Sequence, residues 1–375
     1  MMGMYLKNLK VKDFRNFRED KVEFSNKINV FIGKNAQGKT SLLEAIYMLS
    51  LARSHRTFKE KEVIRFQTDY AQISGEVFKN NRRTSLSLTL TKQGKIAKVN
   101  HLQKNKLSDY IGTFNVILFA PEDLNLVKGG PQERRLFIDR ELSQLDLIYL
   151  RESNLYQKLL KQRNAYLKLL SKKEAKDRLY LEVLTEQLAR SAARVSLARY
   201  DFIHRLEALA QPIHQQLAND NETLTLMYSG SVALQEEMDE EQVTELFLDK
   251  FKSYEEQEIA NGVTAIGPQR DDIKLKINQK LVAQYGSQGQ QRTTVLAIKL
   301  AEIEYIKQLL KEYPILLLDD VLSELDYHRQ TQLLHFIENK VQTFLTTTSL
   351  KEVHVDQIEN PRVFRIESGQ VKAKE

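Results

Sequence analysis

The sequence predicts an α/β fold that is interrupted by an inserted helical lobe. A glycine-rich loop follows a short apolar strand near the N-terminus, and a second apolar strand ends in two aspartates near the C-terminus. Between these two segments, the apolar residues recur at helical rather than strand spacing. We therefore expect the two ends of the chain to build one α/β lobe around the loop.

The composition is that of a globular, soluble protein of two or three domains. The chain has 375 residues, of which 42% are hydrophobic and 28% charged. It has no apolar run of the roughly 20 residues that a membrane helix needs. It also lacks cysteine and an apolar leader at its N-terminus, so we expect a cytoplasmic protein without disulfides or thiolate metal sites. The net charge of +6 is compatible with a polyanionic partner.

The first part of the α/β lobe, residues 1–128, contains short strand-like runs. Residues 84–91 alternate polar and apolar side chains, and Lys92–Lys95 follow as a turn, so the segment predicts a hairpin within a mixed sheet. The predicted strands are Tyr5–Val11, Ile28–Ile32, Tyr70–Phe78, Arg83–Leu90 and Ile111–Phe119.

Residues 129–260 are predicted to form the helical lobe. Glycine is absent from Pro131 up to Gly230, and leucines recur at helical spacing, with one long helix through Tyr180–Ala210. The repeat is too short for an extended coiled coil. Residues 261–375 then complete the α/β lobe, with strands at Ile273–Ile277, Ile315–Leu318 and Thr343–Thr347.

The loop GKNAQGKT at residues 33–40 predicts a phosphate-binding site. Glycines allow the backbone N–H groups to curl around phosphate, Lys39 would reach the β- and γ-phosphates, and the Thr40 hydroxyl would bind Mg²⁺. The alternative is a chance match in an ordinary turn. The expected contacts are Gly33, Lys34, Asn35, Ala36, Gln37, Gly38, Lys39, Thr40 and Ser41.

The segment PILLLDD at residues 314–320 predicts the other half of this site. Asp319 ends a buried strand and would bind the magnesium ion, and Asp320 would be the base that polarises the attacking water. The alternative is an acidic turn after a core strand. Because Lys39 and Asp319 are 280 residues apart (319 − 39), the site requires both ends of the chain.

Two further segments are candidates for nucleotide contacts. Ser287, Gly289 and Gln290 form the tetrapeptide S-x-G-Q directly before a predicted helix, Arg292–Leu310, where a hydroxyl and a helix N-terminus favour phosphate. The alternative is a polar helix cap. Asp326 follows the second strand as part of VLSELD, and its alternative interpretation is an acidic helix start.

Together, GKNAQGKTS, GSQGQQRT and LLLDDVLSELD resemble the heads of ABC-type DNA-repair ATPases. FAPEDL, PQERRLFID and GPQRDD narrow the resemblance to the RecF family of bacterial recombination-repair proteins, over nearly the whole chain. The resemblance implies an ABC-type P-loop head with a mixed sheet, using ATP and Mg²⁺. It also implies an ATP-dependent homodimer in which Ser287, Gly289, Gln290 and Asp326 face the partner's nucleotide.

The same resemblance implies the biological role. The chain would help RecR and RecO to place RecA at single-stranded gaps, which would support replication and the SOS response. Because the sequence contains no base-reading motif, we expect DNA binding that is independent of sequence. Two departures from the general ABC pattern predict slow hydrolysis. Asp320 stands where transporter-type ATPases have Glu, and the strand after which a switch histidine would follow ends here in Thr346-Thr347-Thr348. In addition, Ala120-Pro121-Glu122 stand where a glutamine would form the Q-loop.

The predicted hairpin is the first candidate for DNA contacts. Residues 77–108 contain no Asp or Glu, and the candidate residues are Arg82, Arg83, Lys92, Lys95 and Lys98. The alternative is a solubilising sheet edge, since exposed edges are often lysine-rich. A second basic run lies in the helical lobe: Lys158, Lys161, Arg163, Lys168, Lys172, Lys173 and Lys176.

Two other functions compete with a DNA-repair ATPase. The ATP-binding subunit of a membrane transporter is disfavoured by the helical lobe, by Asp320 and by the missing histidine. A structural DNA-bridging protein with negligible hydrolysis differs only in its turnover, which must be measured with and without DNA.

Overall fold

The computed structural model describes residues 3–57, 59–79, 82–218, 222–350 and 360–373. The chain forms two compact units. The first consists of Met1–Asp123 and Leu296–Glu375, so it contains both ends of the chain, and the second consists of Leu124–Val295. Within the described ranges, every helix is either too short or too polar to cross a lipid bilayer.

The first unit contains two six-stranded sheets. Its strands are β1 (Tyr5–Phe14), β2 (Phe17–Glu23), β3 (Ile28–Ile32), β4 (Tyr70–Lys79), β5 (Arg82–Thr91), β6 (Gly94–Val99), β7 (Leu102–Gln103), β8 (Val116–Phe119), β12 (Ile315–Leu318), β13 (Thr343–Thr347), β14 (Arg362–Glu367) and β15 (Gln370–Ala373). One sheet is antiparallel, in the order β2-β1-β4-β5-β6-β7. The other is mixed, in the order β15-β14-β3-β13-β12-β8, and only β15 pairs antiparallel.

One helix packs between the two sheets of this unit. Helix α1 (Lys39–Leu51) contacts β4 and β5 on one side and β8 and β13 on the other. Because it is covered on both sides, it is apolar over nearly its whole circumference, and its residues join one hydrophobic cluster with both sheets. The unit also holds helix α9 (Tyr327–Ile337) and short 3-10 turns at Glu60–Val63, Leu107–Asp109 and Leu322–Glu324.

The second unit is mainly helical, with a small antiparallel sheet. It contains α2 (Asn125–Lys128), α3 (Pro131–Leu145), α4 (Leu147–Ser171), α5 (Arg178–Leu217), α6 (Glu240–Asn261), α7 (Val282–Tyr285), a 3-10 turn at Pro268–Arg270, and the strands β9 (Leu224–Ser229), β10 (Asp272–Ile277) and β11 (Lys280–Leu281). Helix α5 is central, since it contacts α4, α6 and β9. Two elements extend past the limits of the units, namely the 3-10 turn Pro121–Leu124 and helix α8 (Gln288–Leu310).

The fold class predicted from the sequence is confirmed: the described residues form a mixed-sheet P-loop head and a compact helical lobe, and none of them forms a long coiled coil. The predicted hairpin is also confirmed, with Lys92 and Gln93 as a two-residue turn between paired Thr91 and Gly94. It belongs, however, to the separate antiparallel sheet. The strand predicted from Ile111 was too long, because Gly112 adopts a φ of 87° and β8 begins only at Val116.

The second unit continues well beyond residue 260, where the helical lobe was predicted to end. Strand β9 precedes α6 and pairs with β10, which follows it, so residues 261–295 belong with the helices. The candidate signature residue Ser287 therefore lies in this unit rather than with the P-loop. Pairing of strands across a whole helix leaves no local pattern in a sequence, which is why periodicity did not reveal it.

Buried and half-buried arginines join segments of the second unit, including two of those that suggested the RecF family. Arg134 of PQERRLFID forms a bidentate ion pair with Asp272 of GPQRDD, at 2.6 and 3.0 Å. The buried Arg199 donates to Asp139 (2.8 Å) and to the Pro268 carbonyl (2.7 Å), which joins the same two segments. Arg163, listed above in the second basic run, is also buried, in an ion pair with Glu258. It is therefore not available to DNA.

Candidate functional site

The P-loop connects β3 to α1 at the edge where the parallel strands end. Gly38 adopts a φ of 117°, in the left-handed region that favours glycine. Space also requires glycine, because a β-carbon at Gly38 would lie 2.8 Å from Asn16 Nδ2, and one at Gly33 would lie 2.4 Å from the Ile366 carbonyl oxygen. The two motif glycines are thus fixed by neighbouring strands as well as by the loop itself.

The Lys39 side chain folds back over the loop. Its ammonium group donates to the carbonyl oxygens of Gly33 (2.5 Å) and Lys34 (3.2 Å), and the residue is only 8% exposed. A compact cation is thereby held against the backbone at the start of the loop. A bound phosphate could accept hydrogen bonds from the same ammonium group.

Asp319 and two hydroxyl groups meet at the ends of neighbouring elements. Its Oδ1 atom accepts hydrogen bonds from Thr40 Oγ1 at 3.0 Å and from Thr346 Oγ1 at 2.8 Å. Burial raises the pKa of the Asp319 carboxyl above its ordinary value, although the two hydroxyl groups partly oppose that rise. Hard oxygen atoms from Asp319 and Thr40 are thus placed together, as a magnesium site requires.

Asp320 adopts an uncommon backbone conformation for a residue with a side chain. Its φ is 55°, its N–H donates to Thr346 Oγ1 at 2.8 Å, and its carbonyl accepts from Ser323 Oγ at 2.7 Å. Thr346 therefore contacts both aspartates. In the sequence, Thr346-Thr347-Thr348 mark only the place of a missing switch histidine. The role of Thr346 depends on the parallel pairing of β12 with β13, which a sequence does not display.

These residues line one cavity of about 780 Å³, a size typical of small-molecule sites. Its walls are formed by residues 34–36 and 38–41 of the loop and the start of α1, by both aspartates and Thr346, and by Arg15, Asn16, Arg56, Lys61, Glu62, Ile64 and Phe66. The basic lining residues are Arg15, Lys34, Lys39, Arg56 and Lys61, and the acidic ones are Glu62, Asp319 and Asp320. The excess of positive charge favours a polyanionic ligand.

Arg15 and Arg56 were not predicted, and one buried carboxylate holds both. Glu44 of α1 accepts two hydrogen bonds from Arg15, at 2.8 and 2.6 Å, and lies 3.8 Å from Arg56. Burial alone would raise the pKa of Glu44, but hydrogen bonds from Arg15 and Ser54 outweigh it, so the pKa lies below its ordinary value. A glutamate inside an otherwise apolar helix was the available signal for this cluster.

The candidate signature residues form a helix cap. The Ser287 hydroxyl accepts from the Gln290 N–H at 3.2 Å, and Gln290 Oε1 accepts from the Ser287 N–H at 2.8 Å, which is a reciprocal capping box on α8. Asp326 likewise caps α9 by accepting from the Arg329 N–H at 3.0 Å. These contacts are the ones expected of a polar helix cap at Ser287 and of an acidic helix start at Asp326, which were the alternative interpretations of the two segments. Ser287 and Asp326 are nevertheless exposed, so both remain accessible to a second molecule.

The basic hairpin does not present its five candidate residues on one face. In β5 the core-facing residues are Leu86, Leu88 and Leu90, so Arg83 lies on the opposite, outer face together with Lys98, which pairs with Ser87. Arg82 and Lys95 have the register of the core face, and Lys95 donates to the Ala52 carbonyl at 2.6 Å.

Two of these residues are also in ion pairs. Arg83 pairs with Glu76 of β4, and Lys92 lies 2.9 Å from Asp69. Both ion pairs lie at the surface, where an ion pair contributes little to stability. Breaking either one so that the basic side chain could bind a phosphate would therefore cost little free energy.

Comparisons with known proteins are consistent with this geometry. The family model described as "RecF/RecN/SMC N terminal domain" matches residues 5–372. The chain is 49% identical over 366 residues to the DNA replication and repair protein RecF of Bacillus subtilis (strain 168), covering 98% of this chain and 99% of the relative. It is 52% identical over 371 residues to that of Latilactobacillus sakei subsp. sakei (strain 23K), covering 98% of each.

Solved structures give the same result. The chain superposes on the recombination mediator protein RecF with ATP in the RecFOR pathway with a TM-score of 0.92 at 33% identity, covering 100% of this chain and 98% of the other. The Smc head domain with an extended coiled coil from Pyrococcus furiosus matches at 15% identity with a TM-score of 0.57, covering 99% and 96%. This second likeness shows a shared fold.

Proposed function

The chain belongs to the RecF/RecN/SMC N-terminal domain family, and from this premise we propose that it is an ATP-dependent DNA-binding protein of replication and recombination repair. One observation supports the proposal above the others. Lys39, Thr40, Asp319 and Asp320, drawn from both ends of the chain, line a single positively charged cavity. Relatives at about this identity are named for DNA replication and repair, and a RecF structure contains ATP.

Different residues of the cavity would bind the phosphates and the magnesium ion of ATP. The Lys39 ammonium group, which donates to the Gly33 and Lys34 carbonyl oxygens, would donate to the β- and γ-phosphates instead. The loop N–H groups would bind the phosphate oxygens as well. Thr40 and Asp319 would hold Mg²⁺, which supplies charge neutralisation between the phosphates when bound. Among the described residues, no cluster of three or more His, Cys, Asp or Glu side chains could hold a metal ion alone. Shared coordination with phosphate is how proteins usually hold magnesium.

Asp320 is the proposed base for the attacking water. Its left-handed backbone conformation and the hydrogen bond from its N–H to Thr346 fix the position of the backbone that carries this carboxylate. Because its side chain is one methylene shorter than the usual glutamate, we expect slow turnover. The protein would then act as a switch whose ATP-bound state is long-lived.

We further propose that the ATP-bound state is a homodimer. Ser287, Gly289, Gln290 and Asp326 would then face the nucleotide of the partner subunit, and ATP would stabilise the dimer because it binds both surfaces at once. The exposure of Ser287 and Asp326 supports this role. In the cytoplasm, the dimer would engage DNA and act with RecR, RecO and RecA at single-stranded gaps, in support of replication and the SOS response.

Replacing Ser287 with arginine should prevent ATP-dependent dimerisation but leave ATP binding by the monomer unchanged. The long charged side chain would occupy the space of the partner's γ-phosphate. Sedimentation velocity with ATP measures the dimer, and fluorescent-nucleotide titration measures monomer affinity. Gln284→Arg, an exposed position in α7, is the matched control and should dimerise normally. An ATP-induced dimer of undiminished affinity in Ser287→Arg would place the interface elsewhere.

Replacing Arg83 and Lys98 with glutamine should weaken binding to duplex DNA of every sequence about equally. These two side chains share the outer face of the antiparallel sheet, and phosphate contacts carry no sequence information. The slope of log affinity against log salt should fall by roughly one unit for each lost contact. The pair Arg82→Gln and Lys95→Gln, on the core-facing register, is the control. If Arg83 and Lys98 leave the slope unchanged, the DNA interface is not on this sheet.

A further inference from the structure

The C-terminal hairpin of the first unit contacts the outer side of the P-loop. Strand β14 pairs in parallel with β3, with Arg365 opposite Ile32, and therefore runs alongside the strand that leads into the loop. Ser368 and Gly369 then form the two-residue turn to β15, with φ values of 48° and 72°. This turn lies against Gln37, the central residue of the loop.

Gln37 is held by three hydrogen bonds on this side. The Ser368 N–H donates to Gln37 Oε1 at 2.7 Å, and the Gly369 N–H donates to the Gln37 carbonyl at 3.1 Å. Asn16 Nδ2, from the turn between β1 and β2, donates to the same carbonyl at 2.9 Å. Unlike its neighbours Ala36 and Gly38, Gln37 does not line the cavity.

The turn and the loop also fit closely in space. A β-carbon at Gly369 would lie 2.4 Å from the Asn16 carbonyl oxygen, and one at Gly33 would lie 2.4 Å from the Ile366 carbonyl oxygen. The hairpin is fixed at its other side too, because the Val371 N–H donates to Asp20 of β2 at 2.7 Å. The turn is therefore held in place by contacts on both sides.

Because the peptide bond is planar, these hydrogen bonds also constrain the peptide group between Gln37 and Gly38, next to the proposed phosphate site. The Gln37 carbonyl accepts hydrogen bonds from the Gly369 N–H of the hairpin and from Asn16 Nδ2, and in a trans peptide the N–H of the next residue points the opposite way. Fixing the carbonyl thus also fixes the direction of the N–H of Gly38, a residue that lines the cavity. The flanking residues need this constraint, because Ala36 and Gly38 both adopt positive φ, at 63° and 117°, and could relax to other conformations.

We propose that the Ser368–Gly369 turn is a positioning element for nucleotide binding and that it acts through Gln37. The proposal rests on the proposed function of the P-loop. It assigns to Gln37 a task that does not involve contact with the nucleotide, namely to preorganise the N–H groups that bind phosphate. Because these groups bind the phosphates common to ATP and ADP, the effect applies to both nucleotides.

The test is Gln37→Met, which keeps the length of the side chain and removes the acceptor for the Ser368 N–H. We expect the Kd for ATP and for ADP to rise about fivefold, which corresponds to the loss of one hydrogen bond. The unfolding midpoint of the nucleotide-free chain should match that of Gln370→Ala, an exposed residue of the same hairpin. Gly369→Ala, which forces a β-carbon against Asn16, should also raise both Kd values.

Three results would overturn the inference. The first is a folded Gln37→Met variant that binds both nucleotides with wild-type Kd. The second is a rise in Kd matched by a comparable loss of stability without nucleotide, which would make Gln37 a structural residue only. The third is a wild-type chain that binds neither nucleotide. That result would refute the proposed nucleotide site itself, and it is recognised before any variant is compared.

Discussion

Replacing Lys39 with alanine is expected to raise the Kd for ATP by roughly 100-fold or more, equivalent to about 3 kcal/mol. The variant loses the cation that would contact the β- and γ-phosphates. It also loses the two hydrogen bonds that Lys39 donates to the Gly33 and Lys34 carbonyl oxygens. Fluorescent-nucleotide titration measures the effect directly.

The control for this variant is Lys27→Ala, which removes an exposed lysine just before β3. It should bind ATP with wild-type affinity, because general attraction from one surface charge is weak and screened by salt. Undiminished ATP affinity together with normal turnover in Lys39→Ala would refute the assignment of the P-loop.

Replacing Asp320 with asparagine should abolish hydrolysis and leave nucleotide binding intact. A general base contributes about 10²–10⁴-fold to a rate, so turnover should fall by at least about 100-fold. Asp319 still faces Thr40 and Thr346 in this variant. The fold should tolerate the change, since asparagine is among the residues that most readily adopt the positive φ of this position. The ATP-bound dimer should live longer than that of the wild type.

Asp320→Glu is the matched control, because it keeps a carboxylate at the length found in transporter-type ATPases. It should retain turnover. Hydrolysis at the wild-type rate by Asp320→Asn would mean that the base lies elsewhere. If the wild type itself shows no turnover with or without DNA, a structural DNA-bridging role replaces the switch.

The elements whose formation depends on residues adjacent in the sequence could be predicted from the sequence. Strand β3, the P-loop and α1 are contiguous, and the strand before Asp319 is an uninterrupted apolar run, so local patterns identify both. The β5–β6 hairpin follows from strict alternation and a two-residue turn. Strand β2 was missed because its sequence, FREDKVE, is mostly charged and only Phe17 and Val22 are buried.

The parts that depend on long-range pairing could not be predicted. Thr346 reaches both aspartates only because β13 lies beside β12, and Arg15 reaches the cavity only because Glu44 holds it. The support of Gln37 by Ser368 joins residues 331 positions apart. Strand alternation alone, however, indicates that the neighbours Arg82 and Arg83 of β5 point to opposite faces of the sheet.

The most direct test of the proposed function is the size of the wild-type chain in three nucleotide states. Sedimentation velocity would be measured with ATP, with ADP and without nucleotide, in each case with Mg²⁺. If ATP joins two molecules through Ser287 and Asp326, the chain should be a dimer with ATP and a monomer in the other two states. A monomer in all three, or a dimer that forms regardless of nucleotide, would contradict the ATP-driven switch.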